Sequence, residues 1–193
     1  MISLLNELPE SVACTELLRC CGSPRWVDKM VEARPFASVL HLKAVADRTW
    51  WSLPYSEYYT AFQAHPRIGG DVAALRQKFA STTSSSNGGG AHHGGSWEEG
   101  EQSGTKSASE EVLRALAQGN DDYDAKFGHV FLICATGKSA SEMLNALEQR
   151  ISNSAEAEVL IAAGEQAKIT YLRIDKLLVS LQENKAKATS SRL

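Results

Sequence analysis

Apolar side chains recur at spacings of three and four along most of this chain, and proline, glycine and serine cut that pattern into short runs. Side chains at such spacings share one face of a helix, whereas a half-buried strand needs strict alternation. The pattern predicts an all-α fold. Leu8-Pro9 opens the first run with Pro9 at a first-turn position, and Val12, Leu17, Leu18 and Cys21 lead to Gly22 as its stop. Ser23-Pro24 starts the second, whose stripe of Trp26, Val27, Met30 and Val31 ends at Arg34-Pro35. A third is expected over residues 37–51. Ser52 and Pro54 cap a fourth, in which Tyr55, Tyr58, Tyr59 and Phe62 recur until Ala64-His65-Pro66.

The second half repeats the style after an interruption. Residues 81–96 read STTSSSNGGGAHHGGS, sixteen residues with five glycines and five serines and no large apolar side chain. So little burial cannot offset the entropy of ordering, and a flexible loop is expected there. Helical spacing resumes over 106–119 with Val112, Leu113 and Leu116, and Asn120-Asp121-Asp122 is a cap candidate for a further helix. His129 to Ala135 (HVFLICA) fits a buried strand or a buried helix end. Ser139 or Ser141 caps a segment carrying Met143, Leu144, Leu147 and Ile151. A last helix is expected over 155–181, about 40 Å long at 1.5 Å per residue. The resulting expectation is one helical domain over 1–182 and a frayed polar tail over 183–193.

Charge and composition narrow the partners. With 20 basic and 23 acidic residues the net charge is −3, which leaves no general positive field for nucleic acid or an anionic membrane. No apolar run approaches the roughly 18 to 20 residues of a membrane span, and the first nine residues lack signal-peptide order, so an intracellular location is expected. Cys14, Cys20, Cys21 and Cys134 form no CxxC pair and are expected to be reduced. Cys14 and Cys21, seven apart, are expected on one helix face as buried thiols.

Three features stand out from the helical background. His65 lies at a helix exit beside Pro66, where an imidazole can hold a fixed orientation for proton transfer or merely satisfy the last helical carbonyls. Glu98, Glu99, Gly100, Glu101 and Gln102 make an acidic cluster after the loop, readable as a ligand-binding segment or a solvated helix start. Arg173 stands four residues from both Ile169 and Leu177, in line with an apolar stripe. A guanidinium buried there needs an anion, such as Glu101 or an anionic ligand, unless it snorkels to water. No GxGxxG, GxxxxGK[ST], HExxH or GxSxG motif occurs, so nucleotide, zinc-protease and serine-hydrolase readings lack support.

In order along the chain, AFQAHPRIGG (61–70), GEQSG (100–104), FGHVFLICATG (127–137) and EQAKITYLRIDKL (165–177) resemble one family. It is 2-oxo-4-hydroxy-4-carboxy-5-ureidoimidazoline (OHCU) decarboxylase, which completes the oxidation of urate to allantoin. SEMLNALEQR (141–150) resembles the plant members. The resemblance implies His65 as catalytic acid/base, Pro66 as a backbone substrate contact and Glu98 to Gln102 as a binding segment led by Glu101 and Gln102. It further implies Phe131, Leu132, Ile133, Cys134 and Ala135 as a pocket wall offering backbone groups, and Arg173 as the cation for the substrate's oxygens. It implies no metal and no organic cofactor.

The same resemblance implies a homodimer, with Trp50, Trp51 and Tyr55 as candidate contact or core residues, and a transthyretin-like hydroxyisourate hydrolase domain as the plant fusion partner. Ser191-Arg192-Leu193 resembles a peroxisomal address, with the cytoplasm as the alternative. Two departures are visible. His129-Val130 stands where many members have Phe-Pro or Phe-Ile, and Arg67-Ile68-Gly69-Gly70 where many have Asp-Leu-Ala-Gly. His129 then either adds an imidazole near the site or is a partly exposed helix-end residue. Competing readings are a non-catalytic module in receptor-kinase signalling and a metal site built from His65, His92, His93 and Cys134.

Overall fold

The structure, a computed structural model, describes residues 1–67 and 110–190. Among the described residues there are eight helices and no strand, as the spacing pattern predicts: α1 Ile2–Glu7, α2 Glu10–Cys20, α3 Pro24–Glu32, α4 Val39–Trp51, α5 Tyr55–Gln63, α6 Glu110–Phe127, α7 Ala140–Arg150 and α8 Ala155–Ser190. They divide into two compact units, Met1–Ala64 with Gln166–Leu193, and His65–Glu165. The expected loop over 81–96 lies outside the described residues.

In the first unit the start signals act as read, with corrections at their edges. Ser23 accepts a hydrogen bond from the Trp26 amide and Pro24 takes the first helical position. Ser38, which the sequence reading did not single out, caps α4 through the His41 amide. Pro9 is the N-cap of α2 rather than a first-turn residue, and a short helix, α1, precedes it. α2 ends at Cys20, so Cys21 is extended backbone and does not share a helix face with the half-buried Cys14. Ser52 closes α4, and α5 starts at Pro54 with no side-chain cap.

Packing follows from these ends. Trp26 is fully buried and its indole N–H donates to the Ala46 carbonyl at 3.1 Å, so a large apolar body is placed between α3 and α4 without stranding a donor. Ser23 also donates to Glu57 at 2.7 Å, tying the start of α3 to α5. Trp50 stacks on Tyr58 with ring centroids 4.6 Å apart and is core, whereas Trp51 and Tyr55 are about half exposed.

In the second unit α6 is one helix where two runs with a cap at Asn120 were expected. Asn120 is buried, and its side-chain amide donates to the Leu116 carbonyl at 2.7 Å, so that donor is satisfied inside the helix and the chain stays helical past it. Leu116, Tyr123, Phe127, Phe131, Ile133, Met143 and Leu147 form the core that α6 and α7 share. Ser139, not Ser141, caps α7, in a reciprocal capping box with Glu142. The HVFLICA stretch is neither strand nor helix end but an irregular segment. α8 continues to Ser190, past the predicted end near 181, because Glu, Lys and Ala in its last turns are good helix formers even without a buried face.

Candidate active site

His65 follows directly on α5. Burial of Tyr58, Ala61 and Phe62 fixes that helix, and Ala64 is its C-cap, with its amide donating to the Ala61 carbonyl at 3.2 Å. His65 is half-buried and Pro66 exposed. Two residues on, Arg67 donates to Asp121 at 2.8 Å and to Asp124, both on α6. These exposed pairs are screened and add little to stability. Their effect is positional, since they tether the backbone leaving His65. Sequence reasoning missed the tether, although Asp121 and Asp124 stand three apart on one helix face.

The Phe131–Ala135 segment lies between two turns that need glycine. Gly128 has φ 71° and Gly137 φ 78°, left-handed conformations that a Cβ disfavours. Phe131, Leu132, Ile133 and Ala135 are buried and Cys134 is half-buried. With no strand beside it, the segment takes backbone partners from side chains. Arg150 donates through Nη1 to the Leu132 carbonyl at 2.8 Å, and the Cys134 amide donates to Glu165 Oε2 at 2.7 Å.

Arg150 is itself held from below. Its Nε and Nη2 donate to Glu158 Oε1 at 2.8 and 2.6 Å, Tyr123 donates its hydroxyl to the same oxygen, and Asn153 donates to Oε2 at 2.7 Å. The guanidinium also lies 4.7 Å from the Phe131 ring centroid. Glu158 is fully buried, so this carboxylate is affordable only because four donor groups meet it. Burial and the bond to Glu158 push the Tyr123 phenol up from its ordinary value.

His129 is core, not a partly exposed helix-end residue: it is 4% exposed and meets the Tyr123 ring edge-on at 5.5 Å. Its Nδ1 lies 3.0 Å from the Val130 carbonyl, which assigns the proton of the neutral ring to Nδ1. Burial pushes its pKa down.

Arg173 belongs to the first unit and is 3% exposed on α8, which excludes snorkelling. Its Nη1 donates to the Arg19 carbonyl at 3.3 Å, in the last turn of α2, where helical carbonyls lack intrahelical donors. Its charge also reaches the buried Cys20 and Cys21 thiols, lowering a pKa that desolvation raises far more. Gln166 and Thr170, joined at 3.0 Å, are buried on the same helix at spacings of four and three before Arg173. This polar stripe also escaped sequence reasoning, though its spacing within the apolar run was readable.

Among the predicted residues, His65, Pro66 and Phe131–Ala135 therefore belong to the second unit and Arg173 to the first. Glu98, Glu99, Gly100, Glu101 and Gln102 lie outside the described residues, as do His92 and His93. Among the described residues no group of three His, Cys, Asp or Glu side chains is placed to hold a metal ion.

Residues 6–175 match the model of the OHCU decarboxylase family. A match of that extent, most of the chain, shows the family. The chain belongs to the OHCU decarboxylase family. It is 36% identical over 172 residues to the uric acid degradation bifunctional protein TTL of Arabidopsis thaliana, covering 89% of this chain and 48% of that protein. The chain thus spans about half the length of that relative. Over 147 residues it is 28% identical to the 2-oxo-4-hydroxy-4-carboxy-5-ureidoimidazoline decarboxylase of Xenopus laevis, covering 76% of each. The crystal structure of an OHCU decarboxylase in the presence of (S)-allantoin superimposes with a TM-score of 0.63 at 31% identity, covering 84% of this chain and 96% of that one. An (S)-allantoin synthase structure is alike in fold, with a TM-score of 0.64 at 14% identity over 92% of this chain and 53% of its own.

Proposed function

We propose that this chain catalyses the cofactor-independent decarboxylation of OHCU to (S)-allantoin, the closing step of urate oxidation. The observation that carries the reading is the family match over 6–175, a span that contains His65, the 98–102 segment, Phe131–Ala135 and Arg173. A similar decarboxylase crystallised in the presence of (S)-allantoin supports the product.

The chemistry needs no external electron sink. The bond from the ring carbon to the carboxylate breaks, CO₂ leaves, and the electron pair enters the substrate's own π system. Arg173, Glu101 and Gln102 orient the ureidoimidazoline, Pro66 and Phe131–Ala135 offer it backbone groups, and Glu98, Glu99 and Gly100 complete the binding segment. Desolvating the carboxylate favours neutral CO₂. His65 takes the proton of the hydroxyl, whose carbon becomes the ring carbonyl of the product, and a proton is then delivered to one face of the neighbouring ureido-bearing carbon, so the product is a single enantiomer.

The test feeds OHCU made freshly from urate by an oxidase and a hydroxyisourate hydrolase, and follows optical activity with and without the protein. Faster appearance of one enantiomer is expected. His65→Ala is expected to lose roughly 10² to 10⁴ in turnover. Undiminished turnover ends the acid/base role, and a racemic fresh product ends one-sided protonation.

Three further proposals accompany this reading. The half-exposed Trp51 and Tyr55 support a homodimer, which sedimentation of wild type against Trp51→Glu tests. A transthyretin-like hydroxyisourate hydrolase partner is supported by the bifunctional plant relative, and copurification with that domain tests it. Peroxisomal location rests on Ser191-Arg192-Leu193, and a fluorescent fusion ending in this triplet that stays in the cytoplasm would remove it.

A further inference from the structure

We infer that Arg150 and Glu165 are a pair of positioning residues that aim the amide and carbonyl of Ile133 at the substrate; this rests on the proposal that Phe131–Ala135 lines the binding site. A trans peptide is planar, and its C=O and N–H point in opposite directions. The bonds flanking Ile133 are trans. Arg150 Nη1 holds the Leu132 carbonyl at 2.8 Å, so it fixes the plane that also carries the Ile133 N–H and turns that N–H away from itself. Glu165 Oε2 holds the Cys134 N–H at 2.7 Å, so it fixes the next plane and turns the Ile133 carbonyl away from the carboxylate.

Two side chains thus set both dihedrals of one residue. The chemistry of the grips is matched to their tasks, because a guanidinium can only donate and a carboxylate can only accept. Both bonds are charge-assisted, which makes them stronger and better aligned than neutral ones. No strand lies alongside to do this work among the described residues. The Ile133 side chain is buried with Phe131 and Ala135 in the core of the second unit, which anchors the residue between the two planes. What is presented is one donor and one acceptor on a single residue, complementary to the N–H and C=O groups of a ureido or cyclic amide ligand.

The experiment measures steady-state kinetics on freshly generated OHCU for wild type, Glu165→Leu and Glu165→Gln, with folding followed by circular dichroism. Leucine keeps the helix but cannot accept the Cys134 amide, so KM is expected to rise roughly ten-fold or more with a smaller change in kcat. Glutamine keeps an acceptor oxygen and is expected to restore KM. The Cys134 amide proton resonance is expected to move upfield in Glu165→Leu and to return in Glu165→Gln. If Glu165→Leu does not fold, Arg150→Lys carries the same expectation, because one ammonium cannot serve both Glu158 and the Leu132 carbonyl. An active wild type with KM unchanged in the folded variant, or a glutamine variant that fails to restore it, overturns the assignment and leaves the decarboxylase reading standing. An inactive wild type overturns that reading and the assignment with it.

Discussion

A methyl group added to Gly22 would stand 2.3 Å from the Cβ of Ala64, closer than any two such atoms can approach. Gly22 follows α2, and Ala64 closes α5 immediately before His65. The obstacle is a Cβ fixed to backbone, so no side-chain rotation can relieve it. Gly22→Ala is therefore expected to destabilise by about 1–3 kcal/mol through overpacking, and to move the residue that precedes the imidazole. Denaturant titration measures the first effect. A fall in turnover under conditions where the variant stays folded measures the second. Unchanged stability would show that α5 can slide away from Gly22 without cost.

The Arg150–Glu158 pair offers a graded test of buried charge. Glu158 is fully buried and receives donors from Arg150, Tyr123 and Asn153. Removing the phenolic donor in Tyr123→Phe leaves the carboxylate with its cation, and a loss of about 1–3 kcal/mol is expected. Removing the cation in Arg150→Met leaves a buried carboxylate without its counter-charge, and about 3–5 kcal/mol is expected. Urea midpoints of the two variants decide the order, and a reversed order would mean that the phenolic hydrogen bond supports the buried carboxylate more than the guanidinium does.

These two sites mark how far the sequence was legible. Caps and stops were readable because each acts within a few residues: Ser23-Pro24 and Ser139 stand where helices begin, although the sequence around Ser139 left two serines to choose between. Asn120 misled because the same side chain that caps a helix can also bond back to the turn before it, and its burial decides which. The HVFLICA stretch could not be resolved by periodicity, since its backbone partners, Arg150 and Glu165, lie far along the chain. Of the proposed site, the burial of Arg173 was foreshadowed by its place in an apolar stripe. The tether from Arg67 to α6 was not, because Arg67 and its partners Asp121 and Asp124 stand far apart along the chain.

His129 makes the second unit sensitive to acid. Burial holds its pKa below 6.5, with Arg150 adding to the lowering, while the Val130 carbonyl, Glu158 and Asp124 pull the other way without reversing it. The unfolded chain therefore binds more protons at this residue than the folded one once pH falls below the ordinary histidine value. Stability must then fall as pH drops through that value toward the folded pKa, and level off below it. Above it the residue is neutral in both states and contributes no slope. Midpoints of thermal unfolding between pH 7.5 and pH 5 are expected to decline in wild type and to decline less in His129→Gln. Equal slopes in the two proteins would place the acid sensitivity elsewhere.

The four thiols differ in how far they are buried. Cys20 and Cys21 are both fully buried, and desolvation pushes Cys21 up to about 12 and Cys20 higher still, despite the opposing charge of Arg173. Nucleophilic attack needs the thiolate, so both should be inert to an aromatic disulfide reagent near pH 8 while the protein is folded. Cys14 and Cys134 are half-buried and should react first. The expected titration is two equivalents or fewer in native buffer and four in denaturant. Fast native release of a third equivalent would mean that the end of α2 opens on the time scale of the assay, and the carbonyl of Arg19 would then be a less constant partner for Arg173 than its 3.3 Å contact describes.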